Sequence, residues 1–323
     1  MSTATKIWLI AAAVLILIGL IITLVAMVIQ DFKMGNFSTT KFETNIHDIT
    51  DEFTNISIDT STADITFLPS SDGKCRVECY EKKNINHLVS VSDGTLKITE
   101  NDTRKWYEHI EIFSFGKTAV TVYLPEKEYA SLTVECSTGD VKIPNDFSFG
   151  NIDVIANTGD VLCSASVSGK VKIHLSTGDA TLDSIGTPEE IAVRVSTGDI
   201  RIDATSSSGD IHTRVSTGKT TLKNVTCKSL FSVGSTGDLT LTNVIANGIF
   251  SIERDTGDIK FTDCDAAEIF IKTTTGDVEG SLLSSKIFFA TTDTGKVRVP
   301  HMTEGGKCEI TTDTGDIKVQ IVK

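Results

Sequence analysis

The feature that most constrains this chain is a Thr-Gly pair that recurs ten times at a nearly fixed interval. The glycines are Gly139, Gly159, Gly178, Gly198, Gly218, Gly237, Gly257, Gly276, Gly295 and Gly315, spaced by 20, 19, 20, 20, 19, 20, 19, 19 and 20 residues. A period of this length marks a stacked-repeat architecture, in which no unit buries its apolar edge alone and neighbouring units complete the core.

Alignment on the glycine turns the repeat into columns. The preceding residue is always Thr, from Thr138 to Thr314. The following residue is Asp140, Asp160, Asp179, Asp199, Asp238, Asp258, Asp277 or Asp316 in eight repeats, and Lys219 or Lys296 in the other two. Apolar side chains hold most positions two and four after the glycine, as at Val141 and Ile143, and seven before it, as at Leu132 and Ile191. Apolar residues two apart with polar ones between them signal a half-buried strand. Each repeat therefore predicts a strand, a Thr-Gly-Asp corner, a second strand and a less regular return. Parallel stacking brings equivalent residues to about 4.8 Å from one another, so every inward column becomes a ladder. The corner glycine supplies the positive φ of a sharp bend, and Asp, Ser and Thr bond nearby backbone groups in such turns. The expected fold is all-β: a parallel β-solenoid with coils of about 20 residues.

Ahead of the repeats, residues 7–29 form an uncharged run of 23 residues rich in Leu, Ile, Val and Ala. As a helix this run reaches roughly 34 Å, enough to cross a hydrocarbon core of about 30 Å. A cleaved signal peptide is the rival reading, but its apolar core is usually shorter and ends in a small-x-small site. Here Val25-Ala26-Met27-Val28 continues the run. Lys6 on the short side favours a cytoplasmic tail at 1–6, a transmembrane helix at 7–29 and an exported remainder.

Residues 30–45 read as a spacer, 46–130 as an irregular N-terminal β region capping the stack, and 131–323 as the regular solenoid. Ala63 stands in the glycine position of a degenerate corner, Ser61-Thr62-Ala63-Asp64. The aromatic segment at 106–115, with Trp106, Tyr107, Phe113 and Phe115, is expected to cover the apolar end of the first coil, with contact to a partner, a glycan or the bilayer surface as the alternative. At the other end no capping segment follows the strand at 317–322. The last coil is thus expected to be the exposed edge, with Lys318 and Lys323 discouraging edge pairing.

The net charge of −13 argues against nucleic acid and anionic lipid as partners, since both need a basic face. The seven cysteines contain no CxxC, and Cys163, Cys264 and Cys308 fall in apolar columns, which reads as small buried hydrophobes. His47, His87, His109, His174, His212 and His301 are scattered without metal-ligand spacing.

The Asp column is the most chemical feature of the repeat. Stacked carboxylates repel one another, so backbone N–H groups, the Thr hydroxyls or cations must offset that charge. Calcium accepts carboxylate and carbonyl oxygens, but Lys219 and Lys296 interrupt the row, as a structural turn tolerates and a metal row does not. Turn structuring is the favoured role and calcium-dependent attachment the alternative. A polysaccharide-acting enzyme is a further alternative, since such enzymes need a carboxylate pair or a basic groove. No local departure from the repeat announces one.

Beyond the Thr-Gly-Asp corner, three stretches carry a family resemblance: Ser61-Thr62-Ala63-Asp64-Ile65-Thr66-Phe67, Ser92-Asp93-Gly94-Thr95-Leu96-Lys97-Ile98 and Val120-Thr121-Val122-Tyr123-Leu124-Pro125. With the repeated Ser-Thr-Gly-Asp-Val-x-Ile, they resemble the bacterial "putative adhesin" domain of unknown function, which includes LiaG-like envelope proteins. The resemblance spans residues 45–323 and implies an envelope-exposed β-solenoid. It brings no ligand, activity or catalytic residues. The expected protein is a non-catalytic, single-pass surface protein without a cofactor, acting as an adhesin, scaffold or envelope-stress sensor towards an envelope protein or glycan.

Overall fold

The computed structural model describes residues 3–29, 41–104 and 116–322; the features expected at 30–40, at 106–115 and at Lys323 lie outside these residues. Thr3–Ile29 forms one helix, α1, and its Thr5–Val25 stretch averages a hydropathy of 3.0 over 21 residues, long and apolar enough to cross a membrane. The other described elements are 28 strands joined in one wound sheet, a parallel β-solenoid.

The Gly198 coil shows how the repeat builds this sheet. Glu190–Thr197 leads into the corner and Ile200–Ser206 leaves it. Ile191, Val193, Val195, Ile200 and Ile202 point inward and are buried, while the residues between them face outward. Successive coils are in register, with Ile191 between Val171 and Ile211. Each such side chain contributes roughly 1.5–3 kcal/mol by leaving water, so the inward columns hold the stack together.

At the ten Thr-Gly corners φ lies between 125° and 155°. A Cβ at any of these glycines would collide with a backbone carbonyl oxygen of the neighbouring coil. For Gly139 that oxygen belongs to Ala63, which places Ala63 in the same column. A second corner follows six residues later. Ser184, Ala204, Asn224, Asn243 and Asp263 have φ of 57°, 47°, 53°, 52° and 54°. Asn and Asp tolerate this left-handed conformation because their short polar side chains bond locally. Asn243 donates to Asn224 Oδ1 at 3.1 Å, and Asn224 to Asp203 Oδ1 at 3.3 Å. The return half of these coils is therefore more regular than the sequence suggests.

Coil order departs from chain order at both ends. Glu268–Thr275 pairs with Gly306–Thr314, and Lys286–Thr294 pairs with the far side of that same strand. The Gly315 coil thus sits inside, between the Gly276 and Gly295 coils, and the exposed edge is formed by residues 286–298. This corrects the expectation that 317–322 ends the stack. At the opposite end Asn55–Thr62 lies between Thr95–Asp102 and Glu128–Thr138. Asp64–Pro69 likewise lies between Ala119–Leu124 and Val141–Ile143, so both strand pairs continue the stack. Antiparallel strands then finish this end: Cys75–Lys82 on Ala119–Leu124, Ile85–Ser92 on Thr95–Asp102, and Phe42–Ile49 on Cys75–Lys82.

All seven cysteines are buried and free. The core turns polar at Arg254, which is 2% exposed. Its Nη2 donates to Ser232 Oγ at 3.0 Å, Thr213 donates to the same oxygen at 2.8 Å, and burial brings the guanidinium pKa down to about 10. Gly234 makes room for it: a Cβ there would lie 2.9 Å from the guanidinium.

Candidate ligand-binding face

The first strand of each coil turns two side-chain columns outward, four and six residues before the corner glycine. In the middle of the stack these columns carry Lys172, His174, Arg194, His212 and Arg214, with Ile155, Ala192, Phe231 and Val233 among them. Together they line a groove of about 460 Å³. Its shape follows from the sequence. Ala192 stands in register between Lys172 and His212, and its short side chain makes the floor. The His212 ring stacks on Phe231 with centroids 4.7 Å apart and planes 6° from parallel, which makes one wall.

Electrostatics set this groove apart from the rest of an acidic chain. Arg194 stands in register with His174 on one side and Arg214 on the other. Both arginines are exposed, and among the described residues neither is paired with a carboxylate. Glu190, beside the groove, is tied to Lys170 at 2.8 Å. That hydrogen bond holds its carboxyl below the usual range, with smaller attraction from His212 and Lys172. Asp153 is the one acidic residue in the lining.

The sequence-derived candidates lie elsewhere, along the corner. One oxygen of each aspartate accepts the backbone N–H of the residue at the same position in the next coil. Asp160, Asp179 and Asp199 donate in this way to Asp140, Asp160 and Asp179 at 3.0, 2.8 and 2.8 Å. Asp258 and Asp277 donate to Asp238 and Asp258 at 3.1 Å, and Asp316 to Asp277 at 2.7 Å. The row extends outward to Asp64, which accepts from Asp140 at 3.0 Å. Lys219 and Lys296 enter it as donors only, to Asp199 at 2.7 Å and Asp316 at 2.8 Å. Lys296 lies in the outermost coil, where no described residue beyond it requires an acceptor.

A family model matches residues 53–215 and again 202–323, so the two matches together span the whole solenoid. The chain belongs to the Toastrack DUF4097 family. Among curated proteins none is significantly similar to it. Solved structures similar to this Toastrack chain include a putative adhesin from Bacteroides fragilis NCTC 9343, at 18% identity and a TM-score of 0.39 over 87% of this chain and 97% of that one. Another is a putative adhesin from Parabacteroides distasonis ATCC 8503, at 13% identity and a TM-score of 0.42 over 88% and 98%. A putative cell adhesion protein from Clostridium sporogenes ATCC 15579 matches at 11% identity and a TM-score of 0.23 over 87% and 100%.

One further cluster of this Toastrack chain has metal-ligand chemistry. Cys79, Glu81 and His87 are buried with their ligand atoms within 4.8 Å of one another, at the antiparallel end of the stack. The Glu81 carboxylate and both His87 ring nitrogens are already engaged. His87 Nδ1 meets Glu81 Oε2 at 2.6 Å, and Nε2 meets the Thr60 hydroxyl at 3.1 Å. Asn45 donates to Glu81 Oε1 at 2.6 Å, and Thr60 donates to Glu100 at 3.1 Å. The Thr60 hydroxyl thus bridges the His87 ring and the Glu100 carboxylate. Burial pushes the Cys79 thiol up to about 12, so it resists the deprotonation that metal binding needs. This arrangement locks the end of the solenoid rather than offering an open ligand set.

The groove is hidden along the chain because its outward columns carry different residue types from coil to coil. The run Glu135, Ile155, His174, Arg194, Arg214, Val233, four before each glycine, places three basic groups in consecutive coils. Register between the strands turns that run into a surface.

Proposed function

We propose that this chain is a non-catalytic, membrane-tethered solenoid of the bacterial envelope, with α1 as an uncleaved anchor, the N-terminus cytoplasmic and the stack displayed outside as an adhesive or scaffolding surface. The observation that carries the reading is the groove between Lys172 and Val233. It supplies cations and rings on a rigid sheet, an arrangement suited to holding a partner. The groove's lining holds a single carboxylate, Asp153, where acid–base work on a glycosidic bond takes a pair. A β-solenoid suits display because each coil is braced by two neighbours. The apolar length of α1 and the single Lys6 before it support the anchor and its orientation.

Protease treatment of intact cells tests the topology. The expected result is loss of the solenoid with retention of a membrane-bound stub containing α1. Digestion only after lysis would overturn the outward display, and a mature chain that begins after α1 would overturn the anchor.

A further inference from the structure

We propose that the groove binds a linear acidic polysaccharide through the oxyanions of its sugars, with Arg194 and Arg214 as the anion fork and the His212–Phe231 stack as the platform for a sugar ring. The inference rests on the surface-binding reading above and names its ligand class.

The arginine pair is the first ground. Arg194 and Arg214 are register partners on adjacent parallel strands, which sets them about 4.8 Å apart. Two exposed like charges at that spacing repel, and packing does not require them: the same outward column holds Val233 and Glu253 in the next two coils. A carboxylate, sulfate or phosphate between them accepts from both planar forks, which is the geometry guanidinium groups match best. His174 and Lys172 extend the positive strip by one coil.

The second ground is the apolar element. Ala192 leaves a depression about one side chain deep, bounded by the flat His212–Phe231 stack. Aromatic faces present broad contact area at low entropic cost and accept the C–H face of a sugar. Ser176, Ser196 and Ser216 lie two residues beyond His174, Arg194 and Arg214 on the same exposed face, where their hydroxyls suit sugar hydroxyls. The groove's volume, about 460 Å³, falls within the range of small-molecule clefts.

Charge distribution narrows the ligand further. Beyond the strip stand Glu135 and Asp153 on one side and Glu253 on the other, while the Asp row follows the corner. A duplex nucleic acid or an anionic bilayer would meet this acidic surround over most of its contact area. A single flexible glycan strand, one coil wide, reaches the strip without crossing it.

The test uses the full-length protein in detergent, titrated with oligogalacturonate, dextran sulfate and neutral dextran at low and high salt. Both anionic probes, or one of them, are expected to bind, neutral dextran is not, and binding weakens with salt because the contact is exposed. The R194A/R214A variant is expected to lose about tenfold or more in affinity. The F231A variant is expected to weaken binding of oligogalacturonate. A K260A/K318A control on the other sheet face, with unchanged melting, is expected to bind as wild type. Equal binding of neutral dextran, or full affinity in R194A/R214A, would overturn the ligand class. Absence of binding to all three probes would overturn it too, yet would leave the topology found by protease treatment untouched. The two readings thus fail separately.

Discussion

The backbone N–H of Lys219 donates to the Asp199 carboxylate at 2.7 Å, whereas Lys219 offers no carboxylate to Asp238 in the next coil. The aspartate in each corner therefore works for its neighbour, supplying the acceptor that the next backbone N–H would otherwise lack. Asp179 is a representative link, accepting from Asp199 at 2.8 Å. Asp179→Ala is expected to cost about 1 kcal/mol and lower Tm by about 2 °C. Asp179→Asn keeps an acceptor and removes a like charge from the row, so its Tm is expected to stay near wild type. If the row instead held calcium, Asn would cost as much as Ala and a chelator would lower the wild-type Tm. The expected result is an unchanged Tm in chelator.

The second corner carries one residue unsuited to it. Ala204 has φ 47°, whereas the equivalent positions hold Ser184, Asn224, Asn243 and Asp263. An L-residue without a local hydrogen bond pays about 1–2 kcal/mol in this region. Ala204→Asn or Ala204→Gly is therefore expected to raise Tm by about 2 °C. A lower Tm in both variants would show that the second corner is not left-handed there.

Burial makes the cysteines a pH probe of the fold. The thiols of Cys75, Cys79, Cys163, Cys227 and Cys308 are pushed from 9.0 up to about 12, and Cys264 to about 11, chiefly by desolvation. At pH 8 a thiol near 12 is ionised in only about one molecule in ten thousand. A thiol reagent is expected to leave the folded chain unlabelled and to modify all seven cysteines in guanidinium. The raised values also set the sign of the alkaline response. Between pH 9 and 12 the unfolded chain gives up thiol protons that the folded chain keeps, so stability is full below pH 9 and falls as pH rises. Arg254, brought down to about 10, acts in the opposite direction as a single group. Tm measured from pH 8 to 11 is expected to fall.

These responses trace to residues of unequal legibility. The Gly-Asp corner and the inward columns were readable because one geometric demand is met by one residue type in every repeat. The second corner was hidden because Ser184, Ala204, Asn224, Asn243 and Asp263 meet a common φ with four residue types. Arg194 and Arg214, 20 residues apart in sequence, become a pair only once the strands are known to be parallel and in register. The coil order at the C-terminal end was less readable still. Phe288 and Cys308 both serve as the apolar residue seven before the glycine, so either coil fits either place. Lys296 in place of Asp agrees with an outermost coil, but Lys219 makes the same replacement inside the stack, so it does not single out the edge.

That inverted order makes the last residues of the chain structurally internal. Gly306–Thr314 pairs with Glu268–Thr275 on one face and Lys286–Thr294 on the other, and Ile317–Ile321 is likewise shared between two coils. A stop codon after Pro300 would remove this coil and leave the Gly295 coil without its partner, exposing the underside of the Gly276 coil. If coils were stacked in chain order, the same truncation would merely shorten the rod by one unit. Hydrogen exchange separates the two cases. In the full-length protein, amides in Lys286–Thr294 are expected to be protected on one side only, and those in Gly306–Thr314 to be among the more protected of the last three coils. In the truncated chain, Lys286–Thr294 is expected to lose its protection altogether. Retained protection there would show that it can pair directly with Glu268–Thr275 once its partner is gone, whereas weak protection of Gly306–Thr314 in the full-length protein would refute the inverted order.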